Sequence, residues 1–316
     1  MHVYRDFTRY SIQEQPQVLR VLSHLQHTPQ TVAENWPSWV PRYHHSRRAS
    51  LLQGGMYRAG IKSGTPLCFQ AEMLDLPLTL PPREPNVLQL GGVLLESVAQ
   101  IADPLAIPRE HTGHLHVDQP WDQLFDLPLL PRSNADYHLH GEKLDIAYFM
   151  TLCAGMLGGV PQVATLHPSI LSPGSNHLLF IDACYAIARN NLLQWLAERR
   201  NQDPLAYAEL MPSDETTHNG TPDSYPISVF YHNANRKVYR TTSGRLGLGP
   251  GPMRPGDYVV ILFGGSMPFI LRPRPNGDRT FIGDTYLHDY EVMKGRWVDR
   301  LSKSHGPNER RMFRLV

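Results

Sequence analysis

The spacing of apolar residues changes twice along the chain. Val18, Leu19, Leu22 and Leu25 recur at helical intervals, which predicts a first helix over Ile12–His27. Pro16 would sit in its opening turn, where a missing N–H does no harm. The segment "ENWPSWVPRYHHS" follows. Its prolines and tryptophans exclude both a helix and a central strand, and predict an extended strap pinned by Trp36 and Trp39. From Gly54 to Ile101 the pattern shortens. "MYRAG", "PLCFQAEM" and "NVLQLGGVLLESVAQI" read as short strands punctuated by glycine and proline. Leu105 to Asp136 is weakly patterned and proline-broken, and is equally readable as a lid, a linker or a substrate-facing loop.

Helical spacing returns over Leu144–Leu157, with a stop at Gly158–Gly159. It returns again over Ser175–Arg200, where Leu179, Ala183, Ala186, Ile187, Leu193 and Leu196 supply an apolar side. Shorter helices are predicted after Asp203 and over Pro226–Asn235. Then the period shortens to strands once more. "DYVVILFG", "PFILRP" and "TFIGDTYLH" are separated by "GGSMP" and by Asn276-Gly277, a strong tight-turn pair. Arg254–Arg300 therefore reads as a curled antiparallel meander. The expected class is α+β: a β-rich core from about 36–101 and 237–300, a helical part from about 144–235, and a single domain over 1–316.

The glycine run "GRLGLGPG" precedes that meander but forms no phosphate cradle. It lacks the Gly-Lys-Ser/Thr ending, and no helix follows it. Ser266 in "GGSMP" does not match a nucleophile elbow.

Composition narrows the picture. The 316 residues carry a net charge of +1, too little for a binder that works by neutralising a nucleic-acid backbone. Apolar content of 41% with 19% charged residues fits a folded chain, and 28 prolines with 24 glycines imply many short elements. Cys68, Cys153 and Cys184 are too far apart for a disulfide framework or a metal knuckle, and suit buried positions in a reducing, cytoplasmic compartment. "MHVYRDFTRY" has no apolar leader, and no run of 18 apolar residues suggests a membrane span. Asn219-Gly-Thr221 reads as a turn rather than a glycosylation site.

Several of these stretches resemble a known family. "GRLGLGP", "RPGDYVVILFGGSMPFILRP" and "FIGDTYLHDYEVMKG" look like the C-terminal signature of fungal heterokaryon-incompatibility (HET) domain proteins. "VYRDFTRY" and "WPSWVPRY" resemble the region those proteins carry just after the HET domain. Two motifs depart from the pattern. The usual Pro-Asp-Trp is here Pro41-Arg42-Tyr43, and the usual His-Gly-x-Met-x-Gly-Glu is rebuilt over His288–Arg296. The resemblance implies a fungal source and a chain corresponding to the part after the HET domain, without the effector domain itself. It also suggests a place in natural-product biosynthesis by association only.

The candidate chemistry is sparse. His111, His114 and His116, with Asp118 nearby, and the weaker pair His44–His45 lack convincing ligand spacing, so no metal or other cofactor is expected. If "GDTYLHDY" is one strand, Asp284, Tyr286 and His288 share a face, which offers either an acid–base group or a stabilising network. Trp36, Trp39, Tyr43, Tyr57 and Trp121 could wall an apolar pocket or anchor a core. The leading expectation is a cofactor-independent cyclase or isomerase acting on an apolar polyene or terpenoid. His288, Tyr286 and Arg58 would be its hydrogen-bond donors, and Trp36, Trp39, Tyr57, Trp121 and Asp284 would line the substrate site. The alternative is a non-catalytic HET-like regulatory or interaction protein with a protein partner. A filled core and an exposed apolar patch would favour that alternative.

Overall fold

A computed structural model describes residues 2–14, 19, 21–34, 36–42, 52, 57–61, 83–102, 144–156, 177–202, 224–303 and 310–316. The fold is mixed α+β. Helices α1 (His2–Glu14) and α2 (Pro29–Ala33), with a 3-10 turn at Leu22–His24 between them, precede strand β1 (Leu88–Ile101). Helices α3 (Leu144–Leu152), α4 (His177–Gln202) and α5 (Ser224–Asn233) follow. Then come strands β2 (Arg236–Thr241), β3 (Leu246–Pro250), β4 (Tyr258–Leu262), β5 (Phe269–Pro273), β6 (Arg279–Asp284) and β7 (Tyr286–Leu287). Helices α6 (Tyr290–Met293) and α7 (Arg296–Lys303) and strand β8 (Arg310–Leu315) complete the order.

The meander curls into a closed ring. β4, β5 and β6 pair antiparallel in sequence, β8 lies parallel to β6, and β1 pairs antiparallel with both β8 and β4. Five strands thus close a barrel. β1 is long enough to serve twice. Its first part lies in the ring, and bulges after Leu94 and Val98 turn its end away to pair with β2. A second sheet, β1–β2–β3–β7, grows from there.

Both faces of β4, and most of β5 and β6, are buried, which explains the unbroken apolar run of β4, whereas β8 leaves Arg311 and Met312 exposed. Val260, Leu262, Phe269, Leu271 and Phe281 pack with Ile12, Leu22, Leu25 and Trp39 of the N-terminal segment. Val259, Ile261, Ile270 and Ile282 alternate to the other side, with Val292 and Val298. A third cluster joins α3, α4 and α5 to Leu246 and Leu248 of the second sheet. On α4 the buried side is Ala188, Leu192, Leu193, Trp195 and Leu196, whereas Ala186 is exposed and Ile187 only half-buried.

Three boundaries differ from the sequence-based expectation. The first helix is His2–Glu14 rather than Ile12–His27. Leu19, Leu22 and Leu25 recur every three residues and belong to a 3-10 turn and its flanks, buried against the barrel. The region after Asp289 is helical, not strand. The Asp289 carboxylate accepts from the Val292 N–H at 3.2 Å and starts α6, and Val298 and Leu301 bury one side of α7. "MYRAG" is irregular chain and turn where it is described, at Tyr57–Gly60.

Helix α3 ends earlier than Gly158–Gly159. The Gly155 N–H bonds to the Met150 carbonyl and the Ala154 N–H to the Thr151 carbonyl, the paired closure of a Schellman motif. It holds Ala154 at φ 51° and Gly155 at φ 61°. This turn reappears at the candidate site.

Candidate functional site

The turn after α3 rests on two buried tyrosines. Tyr57 donates its hydroxyl to the Ala154 carbonyl at 2.6 Å. Its ring lies 5.9 Å from that of Tyr286, tilted by 50°. Tyr286 Oη is 3.0 Å from His288 Nδ1, and the His288 N–H is fixed to the Leu246 carbonyl at 2.7 Å. Tyr57, Tyr286 and His288 are all buried. The sequence-based pairing of Tyr286 with His288 is therefore real, and Tyr57 joins it. The space over the hydroxyls is taken: a methyl group on Gly155 would lie 2.9 Å from both phenolic oxygens. Tyr286→Phe should cost about 1–3 kcal/mol, because it leaves a buried imidazole nitrogen without that partner. Urea unfolding would check this, and an unchanged midpoint would refute it.

Asp284 does not join the cluster. The chain leaves the barrel at Thr285, whose N–H bonds to the Pro268 carbonyl and whose hydroxyl lies 3.0 Å from both Tyr239 Oη and the Leu248 carbonyl. Asp284 closes β6 while Tyr286 pairs with β3, so the alternation of a single strand is broken. Arg236 instead donates to Asp284 Oδ1 at 2.8 Å and to its carbonyl oxygen at 3.0 Å. Burial pushes the Asp284 carboxyl up, against the pull of the Arg236 guanidinium. This pair lines a small cleft of about 30 Å³ with His27 and Pro250.

The remaining candidates are dispersed. Arg58 is buried beside the cluster in sequence, and its N–H bonds to the Met293 carbonyl at 2.8 Å. Burial lowers the pKa of its guanidinium, with Asp299 pulling the other way. Trp36 and Trp39 are both tied to backbone through their indole N–H groups. Trp39 is fully buried and donates to the Asn86 carbonyl at 2.9 Å, and Trp36 donates to the Val40 carbonyl at 3.0 Å. Trp121, Tyr43, His44, His45, His111, His114, His116, Asp118, Cys68 and Asn219 lie outside the described residues. Among the described residues no group of three or more His, Cys, Asp or Glu side chains could hold a metal ion. Burial pushes the Cys153 thiol up to about 12, the behaviour of a buried small apolar side chain.

A buried ion pair in the barrel is not legible from the motifs one at a time. The aspartate of "RPGD" and the arginine of "FILRP" meet in a two-pronged ion pair, Arg272 Nε to Asp257 Oδ1 and Nη2 to Oδ2, each at 2.9 Å. Both residues were visible in adjacent motifs; their pairing follows only once β4 and β5 are in register. A second network ties Arg245 to Glu96 and Asp289, with the Ser243 hydroxyl donating to Glu96 at 2.6 Å. The Arg272–Asp257 pair ties β4 to β5, and the second network ties β1 to the turn before β3 and to the start of α6, with Ser243 at the surface.

Comparison with known proteins agrees with the motifs. Residues 203–306 match the Het-6 beta-barrel domain family, a span that holds α5, β2–β7, α6 and α7. A curated relative, heterokaryon incompatibility protein 6, OR allele, of Neurospora crassa, is 38% identical over 71 residues. That alignment spans 22% of this chain and 10% of the relative's length. No solved structure is significantly similar. The C-terminal region thus resembles the Het-6 beta-barrel domain of a fungal heterokaryon-incompatibility protein.

These findings overturn the expectation of a cyclase or isomerase. The recognisable relative is named for heterokaryon incompatibility and for no enzymatic reaction. No catalytic motif is evident, and the turn at Gly155 packs against the Tyr286 hydroxyl that meets His288. Catalytic roles for His288, Tyr286 and Arg58, and an apolar substrate, are therefore withdrawn.

Proposed function

We propose that this chain is a non-catalytic recognition module of the heterokaryon-incompatibility type, acting through contact with another protein. The observation that carries this reading is the likeness of residues 203–306 to the Het-6 beta-barrel domain. Two features of the molecule support it. The tyrosine–histidine cluster is closed by the turn at Gly155. Helix α1 also carries Val3, Phe7 and Tyr10 at 77%, 54% and 61% exposure, on the side opposite buried Thr8 and Ile12. Apolar side chains gathered on one exposed helix face suit a protein contact.

We take residues 1–316 as one HET-like unit, since β1 and β8 lie outside the matched span and yet complete the barrel. A cytoplasmic setting fits a free, buried Cys153. Among the described residues no helix is long and apolar enough to cross a membrane. The test is genetic. The coding sequence is introduced into fungal strains that differ only in their incompatibility alleles, and viable transformants are counted. Recognition predicts a drop in yield in some allelic backgrounds and not in others. Equal yields in every background would refute it.

A further inference from the structure

The barrel closes on a stagger. β6 and β8 run parallel and align at one residue pair, Arg279 with Leu315, so residues 310–314 run past the start of β6. The direction of each backbone group in β8 follows from β1. The Gly91 carbonyl accepts the Phe263 N–H, so Gly91 aims at β4, and its neighbours Leu90 and Gly92 aim the other way, at β8. Their partners Phe313 and Arg311 therefore aim back at β1, and Arg310, Met312 and Arg314 aim outward. Val316 obeys the same alternation. Its N–H reaches the Arg279 carbonyl at 3.1 Å, and its carbonyl accepts the Ser38 N–H at 3.0 Å. Among the described residues, no strand pairs with the outer side of β8 at Met312.

The side chains along this edge are basic around one apolar residue. Arg311 and Met312 are exposed, Met312 at 43%. Arg310 donates to the Leu301 carbonyl at 3.0 Å, and Arg314 is held by Asp278 and Glu84, so both guanidinium groups are fixed at the ends of the stretch. Phe313 and Leu315 are buried in the barrel. This chemistry selects the occupant. A second copy of β8 would set arginine against arginine, which disfavours self-pairing. We propose that residues 310–314 are a docking edge for an extended acidic segment of a partner protein, which joins the barrel as an added strand. The proposal rests on the recognition reading above and names the partner's chemistry. The segment gains main-chain hydrogen bonds from Met312. It sets carboxylates beside Arg310 and Arg311 and an apolar side chain beside Met312. With no partner present, the same arginines guard the edge against its own copies.

Amide hydrogen exchange on the intact chain tests the edge. In the free protein Phe313, which aims at β1, should be protected, and Met312 should exchange at least about tenfold faster. A capped Glu-Glu-Val-Val-Thr peptide is then titrated in. Met312 should slow by about tenfold once the peptide reaches about ten times its Kd. The matching Lys-Lys-Val-Val-Thr peptide should leave Met312 unchanged. Met312→Pro removes the outward N–H and leaves the pairing with β1 intact, so it should keep the wild-type urea midpoint and lose the peptide. Arg311→Glu, a change at an exposed side chain, should reverse the preference between the two peptides. A Met312 amide already protected in the free chain would overturn the docking edge. So would unchanged peptide binding in both variants. No response to the acidic peptide would also overturn it and leave the arginines as guards alone. The transformation assay separates this proposal from recognition itself. Allele-dependent yields that persist in Met312→Pro would refute the edge and not recognition. Equal wild-type yields with intact peptide binding would refute recognition and not the edge.

Discussion

Replacing Asp257 by Ala is expected to destabilise the protein by about 3–5 kcal/mol, the cost of leaving one member of a buried ion pair alone. Its carboxylate is 1% exposed and accepts both prongs of Arg272. It also accepts the Arg254 N–H at 2.9 Å, which closes the turn that launches β4. Arg272 Nη2 reaches the Pro252 carbonyl at 2.8 Å as well, so one ion pair fixes the turn and the β4–β5 hairpin together. Urea denaturation followed by circular dichroism measures the loss, and a cost below about 1 kcal/mol would refute the assignment. The double variant Asp257→Leu with Arg272→Met should recover much of the stability, because paired apolar residues of similar volume substitute well for a buried ion pair.

That contact shows what the sequence could reveal and what it could not. "RPGD" reads plainly as a turn before a strand, and "FILRP" as the strand that follows. The turn-bounded apolar runs make the meander legible, since each hairpin is local. The closure of the ring is not legible, because β1 meets β4 and β8 across most of the chain and leaves no local pattern. The same holds for the cluster. Tyr286 and His288 lie two residues apart and were paired correctly, whereas Tyr57 reaches them from a distant turn. Strand alternation puts Asp284 with Tyr286 and His288 only if one strand runs through Thr285, and there the chain changes sheets. The first helix was displaced because Leu19, Leu22 and Leu25 suggest a helix over a short window, although their three-residue spacing also suits a 3-10 turn.

Gly92→Val should be the most damaging single substitution in β1. A Cβ at this position would lie 2.3 Å from the Ile261 carbonyl oxygen and 3.2 Å from the Leu262 Cα. These are backbone atoms of the paired strand, so no side chain can swing aside to make room. The expected cost is at or above about 3 kcal/mol, the upper end for overpacking, with separation of β1 from β4 as the structural result. Gly277→Ala is the contrast. Gly277 has φ 88° and nothing within 4 Å of its would-be Cβ, so only backbone strain of about 1–2 kcal/mol applies. Equal stability for the Gly92 variant and the wild type would show that the two strands do not approach this closely.

The double duty of β1 has a consequence for how the chain is made. Leu94 is synthesised 166 residues before its partner Val260. At ordinary translation rates it waits roughly 8–30 s on the ribosome with neither neighbour available. During that interval an apolar strand with two open edges is exposed to every other nascent chain and to chaperones. The helices encoded between β1 and β4 emerge first and can fold against one another, but the barrel cannot begin to close. Folding yield should therefore depend on how long β1 stays protected, and slower elongation between Leu94 and Val260 should lower it. Slower elongation before Leu88 should have no such effect, because β1 has not yet been made.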